Sequence, residues 1–404
     1  MKRNLFEKLL QHIVRKEFTI ITGARQTGKS TLMKQLERHC KDAQMPTAFL
    51  NLENKNLLFD LDKSPLNLFS YIPESEERVI VFIDEVQYLQ DPSNFLKLLY
   101  DDYVSKIKIV ATGSSAFYID SSFKDSLAGR KKIFNLPTCS FDEYLLLRNR
   151  QDLLDDVQRV RSNNTAKSIY IDVLRQEWED YMLYGGYPAV ITESDKKEKI
   201  ARIAEIRDSY IKRDVLESGV QNETAFYNLF RIVAAQSGNL LNVNELSLSL
   251  RIKNETVTSY LTILQKCFHI VLVKPFYRNL RKELIKMPKT YMLDTGLLNS
   301  LLNNFQPLTL RSDKGIIWEN TCFRLLYDKY GADEILFWRT SDGNEVDFVL
   351  PHIEKPFAIE AKYDEALIRS SKYKKFVETY TNIPLFYNWL QPFNEDFFRR
   401  ITYN

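Results

Sequence analysis

The stretch that decides the fold reads ITGARQTGKSTL and runs from Ile21 to Leu32. It fits the pattern G-x-x-x-x-G-K-[ST], and its flanks are typical of a phosphate-binding loop, because the strand-like FTIIT precedes it and the helical TLMKQLERHC follows it. Glycines let such a loop curl so that successive N–H groups point at phosphate oxygens, at the positive end of a helix. The alternative is a glycine-rich turn before an ordinary helix, which the two flanks disfavour.

The loop sequence predicts which residues contact the phosphates of a nucleoside triphosphate. Lys29 is expected to reach the β- and γ-phosphates, and the Ser30 hydroxyl is expected to ligate Mg²⁺. The residues predicted to surround the phosphates are Gly23, Ala24, Arg25, Gln26, Thr27, Gly28, Lys29, Ser30 and Thr31. ATP and Mg²⁺ are therefore the expected cofactors, and ATP and ADP are expected partners.

A second motif, RVIVFIDEVQYL, places Asp84 and Glu85 at the end of an apolar strand. In sheets of this kind that end lies beside the phosphate-binding loop, where ligands bind. We expect Asp84 to hold Mg²⁺ through water and Glu85 to act as the general base that orients the attacking water. The alternative is a pair of solubilising acids at a strand end.

Two further polar positions complete the predicted site. The segment KIVATGSS puts Ser114 after the next strand, where its hydroxyl can contact the γ-phosphate, with a simple Ser-Gly turn as the alternative. The segment LAGRKKIFNLP puts Arg130 at the entrance to the last strand. An arginine there can reach a neighbouring subunit's nucleotide and stabilise transition-state charge, or it can belong to a solvated basic run. Whether Arg130 acts in cis or in trans stays open.

Composition bounds the class of protein. The 404 residues are 44% hydrophobic, which is typical of a globular protein, and Lys and Arg exceed Asp and Glu by only three (56 against 53). Bulk charge therefore argues neither for nor against nucleic acid. Four scattered cysteines predict neither a zinc site nor a disulfide framework. No apolar run approaches the roughly 20 residues of a membrane span, so a cytoplasmic protein without a membrane partner is expected.

The chain resembles the AAA+ ATPases, and more narrowly the prokaryotic two-part ATPases in which such a module precedes a C-terminal domain of unknown function. The segments that carry this resemblance are ITGARQTGKSTL, VIVFIDEVQYL, IVATGSSAF, LAGRKKIFNLPTCSFDEYL, YMLYGGYPAV, KTYMLDTGLL and WRTSDGNEVDFVL. The first two are specific motifs, whereas GGYPAV and LDTGLL suggest no chemistry. The resemblance implies ATP binding, a winged-helix-like middle and a nuclease-like end.

The middle of the chain predicts a winged helix. Val257, Tyr260, Leu261 and Leu264 recur at the spacing of one apolar helical face. The opposite face carries the polar residues Asn254, Glu255, Thr258 and Ser259, and a basic hairpin with Arg278, Arg281 and Lys282 would form the wing. DNA is therefore a candidate partner. The alternative is a module that makes protein contacts only.

The C-terminal segment EVDFVLPHIEKPFAIEAK resembles the PD-(D/E)xK nuclease fold. There, two adjacent strands bring two carboxylates and a lysine into one pocket. The resemblance implies that Asp347 and Glu360 hold Mg²⁺, that Lys362 assists an attacking hydroxide, and that Glu319 adds an outer ligand. Because such domains can keep the fold and lose the chemistry, a solvated Glu–Lys pair is the alternative.

The alternation of apolar strands with helices over residues 18–145 predicts an α/β fold with a doubly wound parallel sheet, that of a P-loop NTPase. The predicted strands are Phe18–Thr22, Thr47–Asn51, Arg78–Asp84, Ile107–Thr112 and Lys131–Leu136. Four segments are expected: an AAA+ ATPase domain over 1–145, a helical linker or lid over 146–215, a winged-helix-like domain over 216–300, and a restriction-endonuclease-like α/β domain over 301–404.

These motifs together predict an ATP-hydrolysing machine whose nucleotide state moves its C-terminal domains. Two alternatives stay open: a nucleotide-gated DNA-binding switch without useful turnover, and a metal-dependent nuclease governed by the ATPase. A homo-oligomer is a further candidate arrangement, because Arg130 could contact the nucleotide of a neighbouring subunit.

Overall fold

The computed structural model describes residues 3–113, 127–217, 219–276 and 287–400, with the backbone alone for 211–217. The chain divides into two compact units, the first comprising residues 1–137 with 266–268 and the second residues 138–265 with 269–404. These units group the chain more coarsely than the four predicted segments, whose boundaries stay predictions.

The first unit is built on a parallel sheet. Its described strands are β1 (Phe18–Thr22), β2 (Thr47–Asn51), β3 (Val79–Asp84), β4 (Ile107–Gly113) and β5 (Lys131–Asn135). They lie in the order β2-β3-β4-β1-β5, and every pairing between them is parallel. The predicted parallel α/β sheet is therefore confirmed, and each strand agrees with its predicted range to within one residue at either end.

Helices cover both faces of this sheet. The described helices of the first unit are α1 (Leu5–Ile13), α2 (Lys29–Asp42), α3 (Lys55–Lys63) and α4 (Pro92–Tyr103). Successive strand residues point to opposite sides, so Ile20 packs against α3 and α4 while Ile21 packs against α1 and α2. Burial of each such side chain stabilises the fold by about 1.5–3 kcal/mol. The two apolar layers hold the carboxyl ends of β1, β3 and β4 at one edge.

The second unit combines helices with a mixed sheet. Its described helices are α5 (Phe141–Leu147), α6 (Gln151–Ser162), α7 (Ile171–Tyr184), α8 (Pro188–Ile191), α9 (Lys196–Glu217), α10 (Glu223–Ala235), α11 (Val243–Leu250), α12 (Asn254–Lys266), α13 (Thr295–Leu302), α14 (Lys314–Tyr330), α15 (Lys374–Thr379) and α16 (Glu395–Arg400). Its described strands are β6 (Ile270–Pro275), β7 (Lys289–Met292), β8 (Leu336–Arg339), β9 (Glu345–Leu350), β10 (Phe357–Asp364) and β11 (Leu385–Gln391). Within the described ranges, no helix combines the length and apolarity needed to cross a membrane.

The mixed sheet crosses the boundary predicted at residue 300. Its strand order is β11-β10-β9-β8-β6-β7. Strands β6 and β7 come from the segment predicted as winged-helix-like, yet β6 pairs in parallel with β8 through Lys274 and Leu336. Strand β7 pairs antiparallel with β6 and therefore lies at the edge of the sheet that also carries β9 and β10.

The sequences of a turn and of a strand in this sheet explain their conformations. The segment SDGN joins β8 to β9 as an antiparallel hairpin, with Gly343 at φ 87° in the turn. Glycine suits that left-handed conformation because it carries no Cβ. Strand β11, which the sequence analysis did not predict, pairs in parallel with β10. Its sequence, LFYNWLQ, is rich in the aromatic residues that favour strands.

The structure gives a packing role to the two motifs that suggested no chemistry. The Gly186 N–H of GGYPAV donates to Asp294 of LDTGLL at 2.8 Å. A Cβ on Gly296 would lie 2.1 Å from the Tyr184 carbonyl oxygen, so the two segments touch through backbone. The Asn299 side chain donates to two carbonyls in the last turn of α7. The motifs therefore form a buried seam between α7 and α13.

Candidate nucleotide site and carboxylate cluster

The phosphate-binding loop connects β1 to α2, and two of its glycines meet steric requirements. A Cβ on Gly23 would lie 2.2 Å from the Leu136 carbonyl oxygen, which no other residue type would tolerate. Gly28 has φ 93° and ψ 23° at the position that caps α2. This left-handed conformation turns the chain into the helix, and it favours glycine.

Lys29 folds back onto its own loop. Its side chain is 5% exposed, and its Nζ donates to the carbonyls of Gly23 and Ala24, both at 2.9 Å. The Thr27 hydroxyl donates to the Ala24 carbonyl as well, at 2.9 Å. The loop therefore keeps its curled shape around the ammonium.

The other predicted loop residues differ in exposure. Ala24 and Thr27 are buried, Arg25 and Ser30 are half-buried, and Gln26 and Thr31 are exposed. Ser30 is the second residue of α2, directly after Lys29. A serine in this position lies beside the phosphates of a nucleotide bound at the helix start, so it fits the predicted Mg²⁺ ligand.

Arg3 braces the loop from outside, which the sequence analysis missed. Its guanidinium is buried and donates to the Thr27 carbonyl at 2.7 Å and to the Pro137 carbonyl at 2.8 Å. An isolated arginine before a short helix carries no pattern that would have predicted this contact.

The acidic pair ends β3 at the same edge of the sheet. Strand β4 lies between β3 and β1, so β1 and β3 are about 10 Å apart at the usual strand spacing. Thr112, near the end of β4, connects to both acids: its hydroxyl donates to Asp84 and accepts the Glu85 N–H at 2.9 Å. The structure therefore brings Asp84 and Glu85 to the edge where the loop begins.

Glu85 has a constrained backbone. It lies in the left-handed region, at φ 60° and ψ 50°, a conformation that costs a residue with a Cβ about 1–3 kcal/mol. Its carboxylate accepts a hydrogen bond from the Gln87 side chain. Such strain is typical of functional positions. Sequence reasoning predicted a role for Glu85 but did not select Thr112 and Gln87, which contact it through strand register and a local turn.

Arg130 lies away from this site, and nothing is described for Ser114. Ser114 lies outside the described residues, immediately after the end of β4. Arg130 precedes β5, and its carbonyl accepts the N–H of Phe18, the first residue of β1. It therefore lies at the amino edge of the sheet, about 16 Å of strand away from the loop. A role for Arg130 at its own chain's nucleotide does not fit this placement, and a role at a neighbour's nucleotide stays a prediction.

The Arg130 guanidinium instead pairs with Asp101, at 2.6 Å from Nε and 3.2 Å from Nη2. Both side chains are partly exposed, and solvent screens exposed pairs of this kind. Removing this pair to engage another partner would therefore cost little.

The predicted nuclease residues converge in the second unit. Asp347 on β9 and Glu360 on β10 are connected across the antiparallel pair, where the Asp347 N–H donates to Glu360 at 3.3 Å and the Ala361 N–H donates to Asp347 at 3.0 Å. Glu319 on α14 belongs to the same cluster, because Lys289 contacts both Glu319 and Asp347. The predicted meeting of these side chains follows from the β9–β10 register.

Lys289, which the sequence analysis did not select, lies among these carboxylates. It is 1% exposed. Its Nζ lies 2.6 Å from Glu345 Oε1, 3.1 Å from Glu319 Oε1 and 3.3 Å from Asp347 Oδ1. Only the placement of β7 in the same sheet brings it there, so no local motif pointed to it.

The remaining carboxylate of the cluster has its own donors. Glu360 Oε1 accepts from the Tyr373 hydroxyl at 2.8 Å and from Lys362 Nζ. Lys362 Nζ also lies 3.8 Å from Asp347 Oδ2. Lys362 is therefore placed beside both acids, as the resemblance implied, but as their ion-pair partner.

Burial dominates the electrostatics of the cluster. It raises the pKa of Glu319 to about 7 and that of Glu360 to about 8, with the Asp347 charge adding to both effects. Burial alone would lower the pKa of Lys289, but the surrounding charges, led by Glu319, raise it well above its ordinary value. Lys289 is therefore a charged ammonium.

The cluster does not fit a divalent cation. Among the described residues, no group of three or more His, Cys, Asp or Glu side chains is arranged to hold a metal ion. Glu319, Glu345 and Asp347 each direct one carboxylate oxygen at Lys289 Nζ, and Glu360 directs one at Lys362 Nζ.

The predicted recognition helix corresponds to α12. Its apolar face is buried as predicted, through Val257, Tyr260, Leu261 and Leu264. The residues predicted to face DNA, Asn254, Glu255, Thr258 and Ser259, are exposed. The wing residues Arg278, Arg281 and Lys282 lie outside the described residues. DNA binding through this face stays a prediction.

The parallel sheet and the loop define the class of this chain, a P-loop nucleotide-binding protein. Residues 15–145 match the family model of an AAA domain, which agrees with the resemblance of this part of the chain to the AAA+ P-loop proteins. Residues 175–308 and 314–396 match two domains of unknown function, DUF8612 and DUF4143. The match to the AAA domain supports nucleotide binding by residues 15–145.

Similar proteins come from distant organisms. An uncharacterised protein of Mycobacterium tuberculosis is 24% identical over 368 residues, which cover 89% of this chain and 74% of the relative. An uncharacterised protein of Methanocaldococcus jannaschii is 25% identical over 375 residues, which cover 84% of this chain and 74% of the relative. The solved Aeropyrum pernix ORC1 protein in complex with DNA has a TM-score of 0.33 and 9% identity, over 75% of this chain and 93% of that chain. A TM-score this low supports no conclusion about function.

Proposed function

We propose that this chain binds ATP with Mg²⁺ at the loop between β1 and α2 and hydrolyses it. The observation that carries the proposal is the link through Thr112, which ties Asp84 and Glu85 to the strand beside the loop strand. A nucleotide-binding loop alone would serve a switch equally well. A tethered acid at the same edge favours turnover.

Binding follows from the chemistry of the loop. The Lys29 ammonium donates to two neutral carbonyls, and an anionic phosphate oxygen is a stronger acceptor than a carbonyl. The start of α2 adds the positive end of a helix dipole. We therefore expect Lys29 to exchange its carbonyl contacts for the β- and γ-phosphates when ATP enters.

The Ser30 hydroxyl and the Asp84 carboxylate are the oxygen ligands that we assign to Mg²⁺, with Asp84 acting through water. When bound, Mg²⁺ neutralises charge on the β- and γ-phosphate oxygens. The Thr112 hydroxyl fixes the orientation of Asp84 by donating to it. Thr112 is therefore a positioning residue in this proposal.

Glu85 is assigned as the general base. Its backbone is held by Thr112 and its carboxylate by Gln87, so the side chain has a defined direction before the nucleotide binds. A carboxylate so placed can accept a proton from the attacking water and orient it toward the γ-phosphate.

The test compares ATP turnover and ATP binding in the full chain. Glu85→Gln should lower phosphate release by about 10²–10⁴-fold, the usual contribution of a general base, while calorimetry shows ATP binding unchanged. The matched control is Glu76→Gln, which changes an exposed acid before the same strand and should leave both quantities unaltered. Turnover by Glu85→Gln at the wild-type rate would exclude the assigned base.

A further inference from the structure

We infer that the Lys289 ammonium is a built-in cation that takes the place of a divalent metal in the carboxylate cluster of the second unit. The cluster would then hold the sheet and α14 together and would not support metal-dependent cleavage of nucleic acid. This inference does not depend on the proposed ATPase function.

The first argument is position. Glu319, Glu345 and Asp347 come from α14 and from β9, and each points one oxygen at Lys289 Nζ, within 2.6–3.3 Å. A lysine ammonium has three donors and no acceptor, so three carboxylate oxygens saturate it. Mg²⁺ would need such oxygens at about 2.0–2.1 Å around the same point. A Mg²⁺ ion shared by Glu319, Glu345 and Asp347 would therefore compete with the Lys289 ammonium for one position.

The second argument is anchoring. Lys289 lies on β7, where it pairs with Val273 of β6 and forms an isolated bridge with Leu240. Its Nζ lies 5.6 Å from the centre of the Phe337 ring. A buried lysine held by backbone pairing on both sides cannot move its ammonium to solvent without disturbing the sheet edge.

The third argument is that β7 supplies a second donor. The Tyr291 hydroxyl, two residues along the same strand, donates to Glu319 Oε1 at 2.7 Å. Alternate residues of a strand point to the same side, so Lys289 and Tyr291 present their polar atoms together. This strand has the side chains needed to satisfy carboxylates without a metal.

The fourth argument is that the other predicted ligands are also occupied. Glu360 is held by Tyr373 and Lys362. Each acid of the cluster thus accepts a hydrogen bond or an ion pair from a protein donor. A buried carboxylate with such partners is stable without an ion, whereas an unpaired one is not.

The experiment measures Mn²⁺ binding to the nucleotide-free full chain by electron paramagnetic resonance and calorimetry. Lys289→Ala removes the cation and leaves space for a metal ion among the carboxylates. The variant should therefore bind one additional Mn²⁺ per chain, and Mn²⁺ should raise its Tm. Lys289→Met, the matched control, removes the charge but fills the space and should gain neither. In the wild type, Asp347→Asn should leave Mn²⁺ binding unchanged.

Two results would overturn the inference. One is Mn²⁺ binding by the wild type that Asp347→Asn abolishes, because the cluster would then accept a metal with Lys289 in place. The other is a folded Lys289→Ala protein that binds no additional Mn²⁺. If Lys289→Ala does not fold, the wild type and Asp347→Asn still decide the question, and ATP turnover is measured separately.

Discussion

Lys29 in the first unit and Lys289 in the second are both buried lysines, 5% and 1% exposed, yet their surroundings differ in charge. The Lys29 ammonium donates to two backbone carbonyls of its own loop. The Lys289 ammonium lies among three carboxylates from other elements. Burial is therefore common to both residues, and the net charge of the partner oxygens separates them.

This difference decides what each lysine can do. Carbonyl oxygens satisfy the hydrogen bonds of an ammonium but do not cancel its charge, so a cation held by them retains attraction for an anionic ligand. Carboxylates cancel the charge, and a cation among them has no remaining attraction for phosphate. The first arrangement suits ligand binding, and the second suits structural neutralisation.

The largest expected difference is in the free energy of unfolding. Lys289→Met should destabilise the protein by about 3–5 kcal/mol, because it leaves buried carboxylates without their cation. Lys29→Met removes hydrogen bonds to two carbonyls, each worth about 0.5–1.5 kcal/mol. Urea denaturation of both full-length variants measures this difference.

A second substitution sharpens that measurement. Adding Glu319→Gln to Lys289→Met removes one of the charges that Lys289 compensates, so the double variant should recover part of the lost stability. Equal denaturation midpoints for Lys29→Met and Lys289→Met would remove the distinction between the two sites.

The next effect is stabilisation by ligand. ATP with Mg²⁺ at 100 times its Kd should stabilise the wild type by about 2.7 kcal/mol, since it binds the folded chain only. Lys29→Met should lose this stabilisation, because the phosphates lose their main cationic partner. Thermal unfolding with and without ATP checks it, and Lys41→Met, an exposed lysine on the same helix, is the control. A Lys29→Met protein with the full ATP-dependent shift would contradict the assignment.

The two lysines also show what a sequence can predict. Lys29 was predicted as a phosphate ligand because its partners are close to it in sequence. One short segment therefore contains the whole loop. The parallel sheet was predicted because apolar runs mark strands buried on both faces. Asp347 and Glu360 were paired because their strands follow each other closely along the chain.

Lys289 and Thr112 were missed for one physical reason. Each reaches its partners through strand register: Thr112 because β4 lies beside β3, and Lys289 because β6 pairs with β8 across a predicted boundary. Periodicity predicts that a segment is a strand, but it does not give the neighbour of that strand. A strand from the segment predicted as a winged-helix-like domain over 216–300 thus supplied the cation of a carboxylate cluster.

A third lysine, Lys108, tests whether carbonyl partners leave an ammonium uncompensated. It is fully buried at the start of β4, and its Nζ donates to the carbonyls of His12 at 3.0 Å, Arg15 at 3.3 Å and Glu17. Burial lowers the pKa of Lys108 from its ordinary value of 10.5 to about 7, with the Arg78 charge acting in the same direction. A lysine held by carbonyls thus loses its proton more readily.

The smallest expected effect is therefore a pH dependence of stability. Between about pH 7 and pH 10.5 the unfolded chain keeps the Lys108 proton while the folded chain has released it. Stability then rises with pH, by at most about 1.4 kcal/mol per pH unit for one proton. Urea denaturation of the wild type and Lys108→Met across this range isolates the effect, because other groups cancel in the difference.

The control is Lys106→Met, which changes an exposed lysine two residues earlier and should leave the pH dependence unchanged. A stability difference between wild type and Lys108→Met that stays constant or falls with rising pH would show that the folded state retains the Lys108 proton. Carbonyl oxygens would then compensate a buried ammonium as carboxylates do, and the contrast between Lys29 and Lys289 would have to rest on access of ligand to the loop and not on charge.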